Sequence, residues 1–244
     1  QLGDTRKLDL IVLSAQIEKA IVVSRKQFFR KGKLPSQSRI RKLLFSKVRT
    51  AHENIPISDM LSDAEKERLV NPVLIDNIVK ELRKIGIGEY YFPFNTFLTE
   101  IIGNAVEHGI QNKNINWWLS QEIDRINKSI SYTFVDMGFG IIESHKKAGL
   151  PFKYRILRNS RIVLDALSGD LGSSTKEGHR GRGLPQLRKM IEDEIVSDLL
   201  IITNKVSLTY KNNCFSPRKN PNFVGTLYSW TINKTNFEKW TNRL

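Results

Sequence analysis

Residues 98–109, LTEIIGNAVEHG, constrain this chain more than any other stretch. Phe97, Leu98, Ile101, Ile102, Ala105 and Val106 recur at the three- and four-residue steps of one helix face, and Gly109 stands where a helix over 96–108 would stop. The opposite side carries Glu100, Gly103, Asn104 and Glu107, and Glu100, Asn104 and His108 follow one another a turn apart. A helix apolar on one side must lie against another layer. Strands follow at once: 115–122 and 129–135 read as strands, the second feeding directly into Asp136.

Further along, 141–180 reads as a long irregular segment with a helix near 154–167. Leu184, Leu187, Met190 and Ile191 then mark an amphipathic helix over 184–195, with Pro185 suited to its first turn. Strands are expected at 199–203, 206–210 and 225–232, with 217–222 as a turn-rich link. The order is helix, two strands, lid-like loop, helix, three strands. It predicts a two-layer α/β sandwich with a mostly antiparallel sheet over residues 86–244.

Residues 1–85 read as a smaller, mainly helical region. A short buried strand over 8–13 is followed by helical stretches over 14–29 and 38–48, separated by the turn Lys33-Leu34-Pro35-Ser36. Ser62 and Glu65 have capping-box spacing, Asn71-Pro72 is a break, and an apolar stripe over 73–85 ends at Gly86 and Gly88. Here the charge matters. Residues 24–50 hold ten Lys or Arg and no acid, which is most of the net +14. Such a basic stretch, interrupted by Phe28, Phe29, Ile40, Leu43, Leu44 and Phe45, fits a solvated amphipathic helix pair or, less readily, a face for nucleic acid.

Composition excludes several classes. The apolar run around 10–23 is broken by Ser14, Gln16, Glu18 and Lys19, so no membrane span is expected. Cys214 is the only cysteine, which leaves no intrachain disulfide and fits a reducing, cytoplasmic setting. Four scattered histidines with one cysteine argue against zinc, and His145 and His179 read as solvated loop residues. The chain opens on Gln1 rather than Met and shows no signal-peptide pattern, so it reads as a piece cut from something longer.

Three elements carry chemistry. On the first helix, the Glu100 carboxylate could take a proton from an attacking water or polarise a hydroxyl, and the Asn104 carboxamide oxygen suits magnesium; the plainer alternative is a solvent-facing polar stripe. Gly103 leaves room for a ligand to approach. In Asp136-Met137-Gly138-Phe139-Gly140, a carboxylate at a strand end can accept from the exocyclic amine of adenine, and Gly138 and Gly140 permit close approach; alone, the pattern is also an ordinary tight turn. In Gly178-His179-Arg180-Gly181-Arg182-Gly183-Leu184, backbone amides at a helix start form a phosphate cradle. Lys176, Arg180 and Arg182 could add charge-assisted hydrogen bonds. The stretch lacks the Gly-Lys-Ser/Thr of a Walker loop, and a flexible basic loop is the alternative.

Taken together, these motifs resemble the GHKL, or Bergerat-fold, ATPases, which include histidine-kinase catalytic domains, type II topoisomerase ATPase domains, heat-shock chaperones, mismatch-repair ATPases and anti-sigma-factor serine kinases. The resemblance covers roughly 90–232. It implies ATP and Mg2+ as cofactors, Glu100 as the catalytic base and Asn104 as the magnesium ligand. It further implies Asp136 as the adenine acceptor with Gly138 and Gly140 around it, and Gly181, Gly183 and Leu184 in the second glycine box beneath a mobile ATP lid. Thr226, after Gly225, resembles the final box and would help hold Asp136 and a water near adenine. His108-Gly109 is most similar to the anti-sigma-kinase version of the first motif.

The chain departs from the family in places. His52-Glu53-Asn54-Ile55-Pro56 is one residue short of a histidine-kinase phospho-acceptor pattern and is read as coincidence. The lid is longer than in compact anti-sigma kinases, and a transducer domain would not fit after Ile232. The expectation is a bacterial intracellular ATPase or protein kinase with a protein partner that accepts the phosphate or regulates the chain; a homodimer is a separate expectation. An ATP-gated switch and a nucleic-acid-associated ATPase module are the alternatives.

Overall fold

The computed structural model describes residues 70, 72–108, 117–136, 138–171 and 183–243. The expected strand and helices before residue 70, the basic stretch 24–50 and His52 lie outside the described residues, as do Lys176, His179, Arg180, Gly181 and Arg182. Helix α1 (Pro72–Lys80) continues into a 3-10 turn, Glu81–Ile85. Pro72 opens it where a missing N–H costs nothing. Gly86 ends it in the left-handed region, at φ 84°, its N–H donating to Arg83 O. Ile75, Ile78, Val79, Leu82 and Ile85 are buried in the same core as the rest of the chain. Residues 72–85, read from sequence with the N-terminal region, therefore pack within this unit.

Helix α2 (Phe92–His108) begins four residues before its periodicity predicts. The cause is tertiary. The buried Tyr91 hydroxyl lies 3.0 Å from Ile195 O and 3.2 Å from Asn236 O, and its carbonyl accepts from Phe94 and Asn95, so helical bonding starts there. Phe94 and Phe97 then pack on the sheet, 5.2 Å from the rings of Tyr132 and Trp230 respectively.

That sheet has strands β1 (Trp117–Asp124), β2 (Ser129–Asp136), β3 (Ser197–Lys211) and β4 (Cys214–Asn233) in the order β1-β2-β4-β3, each neighbouring pair antiparallel. Along β2, Ile130, Tyr132 and Phe134 are buried while Ser129, Ser131 and Thr133 are not. The same alternation places Trp230 beside Tyr132, and Ser131 beside Thr231 with hydroxyls 3.3 Å apart on the polar face. One apolar and one polar face is the signature of a sheet covered by helices on one side. The helices are α2 with α3 (Ile141–Lys147), α4 (Asn159–Ser168), α5 (Gly183–Glu192) and α6 (Lys234–Thr241). Helix α4 packs against both α3 and α5, and α5 against α2. Among the described residues the architecture is mixed α/β, an open antiparallel sheet with six α-helices, compatible with an α/β sandwich. Among the described residues no helix is long and apolar enough to cross a membrane.

Three local expectations are corrected, and one element is added. Ile141–Lys147 is helical, not irregular, because side chains from β3 cap the start of α3. His145 is buried on that helix rather than solvated. The stretch 217–222 is strand, not a link: the chain reverses at Asn212 and Asn213, whose φ angles of 50° and 58° suit a two-residue hairpin turn. Pro217 is tolerated because β2 pairs with β4 only from Thr226 onward, so this part of β4 has a side with no ladder to supply. Finally, the chain continues past Ile232 into α6 through a reciprocal cap: Asn233 Oδ1 accepts from Asn236 N at 3.1 Å, and Asn236 Oδ1 from Asn233 N at 3.0 Å.

Candidate functional site

The residues singled out from sequence gather in two groups. In the first, α2 presents Glu100 and Asn104 toward the N-terminus of α5. A Cβ added to Gly183, the first residue of α5, would come within 2.8 Å of Glu100 Oε2, 3.1 Å of Asn104 Oδ1 and 3.4 Å of Asn104 Nδ2. Only glycine lets the helix start approach so near. Asn104 Nδ2 is buried, and among the described residues it has no hydrogen-bond partner. An unsatisfied buried amide donor costs about 1–3 kcal/mol, and here it lies beside a helix N-terminus, whose first N–H groups have no partner within the helix itself. Donors of that kind, with the dipole behind them, favour an anion. Gly103 does not open onto this site, since its nearest neighbour is Val70, with Cγ2 3.9 Å from an added Cβ. Leu184 is half-buried against the core. Gly169, which ends α4 at φ 86°, would place a Cβ 3.2 Å from Pro185 Cγ, so the C-terminus of α4 sits against the start of α5.

The second group forms around Asp136 at the end of β2. Asp136 is buried, and its Oδ1 accepts from Gly138 N at 2.8 Å, which closes the turn. Its cross-strand partner is Thr226, and Thr226 pairs in turn with Thr203, all three buried. The Tyr228 phenol is held up by burial and, secondarily, by the Asp136 carboxylate. Gly140 has φ 76°, and a Cβ there would meet Gly225 O at 2.6 Å and Asn204 Oδ1 at 2.7 Å. Backbone conformation and crowding both require glycine.

Sequence reasoning missed Thr203 and Asn204, which hold this turn from outside. They sit where the β3–β4 register shifts, and Asn204 has φ 50°. Asn204 Nδ2 donates to Phe139 O at 2.8 Å, while Asn204 Oδ1 accepts from Ile142 N at 3.1 Å. Thr203 Oγ1 accepts from Ile141 N at 2.9 Å. Together they satisfy the first donors of α3, which lacks a local side-chain cap. The available signal was the interruption of β3 alternation at Thr203-Asn204-Lys205, with an asparagine suited to positive φ.

The turn runs into α3, α3 packs on α4, and α4 packs on α5, so a continuous helical layer joins the two groups. Among the described residues no cluster of three or more His, Cys, Asp or Glu could hold a metal ion. Glu100 and Asn104 are the oxygen-bearing side chains beside the helix start. In comparisons with known proteins, the chain matches no family model, no characterised sequence and no solved structure.

Proposed function

We propose that this chain binds ATP with Mg2+ in the manner of a GHKL-type, Bergerat-fold domain and works as an ATPase or protein kinase in intracellular, cytoplasmic regulation. The observation that carries the reading is the approach of Gly183 to Glu100 and Asn104, with the buried Asn104 amide donor left unpartnered. An anion that accepts from Asn104 Nδ2 and from the α5 amides relieves that deficit. Asn104 also fits magnesium, because its second atom beside Gly183 is a neutral oxygen of the kind that ion prefers. Bound magnesium supplies charge neutralisation across neighbouring phosphate oxygens.

Each residue then has a role. The first amides of α5 hold phosphate oxygens. Glu100 accepts the proton of an attacking water, or of a partner hydroxyl in the kinase version. Asp136, fixed by Gly138, accepts from the exocyclic amine of adenine, with the Thr226 hydroxyl on the adjacent strand. Lys176, Arg180 and Arg182 lie outside the described residues and would add cationic donors.

Calorimetry with Mg-ATP tests the reading. Binding is expected, and no heat at millimolar nucleotide overturns it. Asp136→Ala should abolish binding while the far-ultraviolet circular dichroism stays native. Glu100→Gln should bind as before with phosphate release lowered about 10²-fold or more. Unchanged release would remove Glu100 from the chemistry.

A further inference from the structure

Between Glu143 and Asp165 the chain carries Lys146, Lys147, Lys153, Arg155, Arg158 and Arg161 and no carboxylate. The middle of this stretch is a 3-10 turn, Phe152–Arg155, joining α3 to α4. Around it Phe152 is 75% exposed, Ile156 82% and Leu157 40%. Single exposed apolar residues are ordinary, but three within six positions, interspersed along the chain with cations, are not.

The display is built rather than loose. Tyr154, in the middle of the turn, is buried, and its hydroxyl donates to Asp165 Oδ2 at 3.0 Å. Asp165 is itself buried, and its Oδ1 also takes Arg161 Nε at 2.8 Å. With Tyr154 pinned inward, Phe152, Ile156 and Leu157 are left facing out on a fixed backbone. Little ordering entropy remains to be lost when they are covered. Lys146 is paired with Glu143, whereas Lys147 rests on the Phe139 ring and Lys153 lies over Tyr154.

We infer that this turn docks the protein on an anionic lipid surface, with Phe152 and Ile156 entering the headgroup boundary and the surrounding cations meeting lipid phosphates and carboxylates. Charge and size both select that occupant. Lys146 and Arg161 are taken up by Glu143 and Asp165, but Lys147, Lys153 and Arg158 leave a net positive display that calls for a negative partner, and near a membrane each contributes about 1 kcal/mol. A stable protein–protein interface needs about 20–30 residues a side, far more than this turn presents. Side chains so exposed would need matching pockets on a protein but need none in lipid.

Co-sedimentation of the full chain with vesicles tests this. The chain should pellet with phosphatidylcholine vesicles containing about 30% phosphatidylserine and stay in solution with phosphatidylcholine alone, with binding falling as salt rises. Phe152→Ser combined with Ile156→Ser should weaken binding about tenfold or more, and Arg158→Glu by a similar factor. Ile126→Ser removes another exposed apolar side chain, 93% exposed in the β1–β2 turn, and should change nothing. If wild type ignores anionic vesicles, the inference fails, whether or not an acidic protein binds instead. It fails equally if the Phe152/Ile156 variant binds as wild type, because the attraction then comes from charge elsewhere in the chain, such as residues 24–50.

Discussion

The two glycines at the candidate site are confined in opposite ways. Gly140 is closed in by backbone and by a hydrogen-bonded asparagine: an added Cβ would strike Gly225 O and both terminal atoms of Asn204. Gly183 is confined by the ends of two longer side chains, Glu100 and Asn104, one of which has an unpartnered donor. The Asp136 half is thus held in shape before anything binds, its turn closed by Gly138 N and clamped by Thr203 and Asn204. The Glu100 half is incomplete, and a ligand would finish it. Preorganisation belongs to the first and ligand response to the second.

Gly140→Ala should have the largest effect. Left-handed backbone costs a residue with a Cβ about 1–2 kcal/mol, and overlap with a carbonyl that cannot rotate away adds about 1–3 kcal/mol. A fall in melting temperature on the order of 10 °C is expected. A melting temperature within a degree or two of wild type would mean that the turn is not clamped as described.

Asn204→Ala comes next. It leaves Phe139 O and Ile142 N without their partner and places alanine at φ 50°, for a loss of about 2–3 kcal/mol by denaturant titration. Asn204→Gly removes the same hydrogen bonds but tolerates the backbone, so it should recover about 1 kcal/mol of that loss. Both should weaken Mg-ATP binding by freeing the Asp136 turn. Equal stability of the two variants would show that the positive φ carries no cost.

The contrast also explains what could be read from sequence. Helix α2 was legible because its period is local: Phe97, Leu98, Ile101, Ile102, Ala105 and Val106 announce one face without help from elsewhere. Strand β2 and its run into Asp136 were legible for the same reason. Where long-range contacts decide, the sequence misled. Tyr91 starts α2 early through acceptors more than 100 positions away, and α3 depends on Thr203 and Asn204, 62 positions from the amides they cap. Pro217 signals a break by composition, yet it sits in a strand whose other side has no ladder to supply. At the site, the glycine spacing pointed to Gly140 and Gly183, but nothing local distinguished the backbone that crowds one from the side chains that crowd the other.

Asn104→Leu tests the incomplete half. Replacing an unpartnered buried amide with an apolar group of similar size should leave the ligand-free protein unchanged or stabler by up to about 1 kcal/mol. The rise in melting temperature on adding Mg-ATP should disappear. A ligand-free loss of more than about 2 kcal/mol, on the scale of a broken buried hydrogen bond, would mean that the amide is satisfied within the fold.

Gly183→Ala should change stability least, and it separates the two halves most sharply. The atoms in its way are carboxylate and carboxamide ends that can swing aside, and alanine favours the helix by up to about 1 kcal/mol over glycine. These effects oppose each other, so the net change should stay within about 0.5 kcal/mol. Glu100 Oε2, however, cannot remain 2.8 Å from the new Cβ. If Glu100 takes the proton as proposed, displacing it should lower phosphate release about tenfold or more while the protein melts as before. The same glycine-to-alanine change would then destabilise the fold at one half of the site and disable the other without destabilising it. Undiminished release from Gly183→Ala would mean that Glu100 has room to act from another rotamer, and that the narrow approach of α5 to α2 serves packing rather than chemistry.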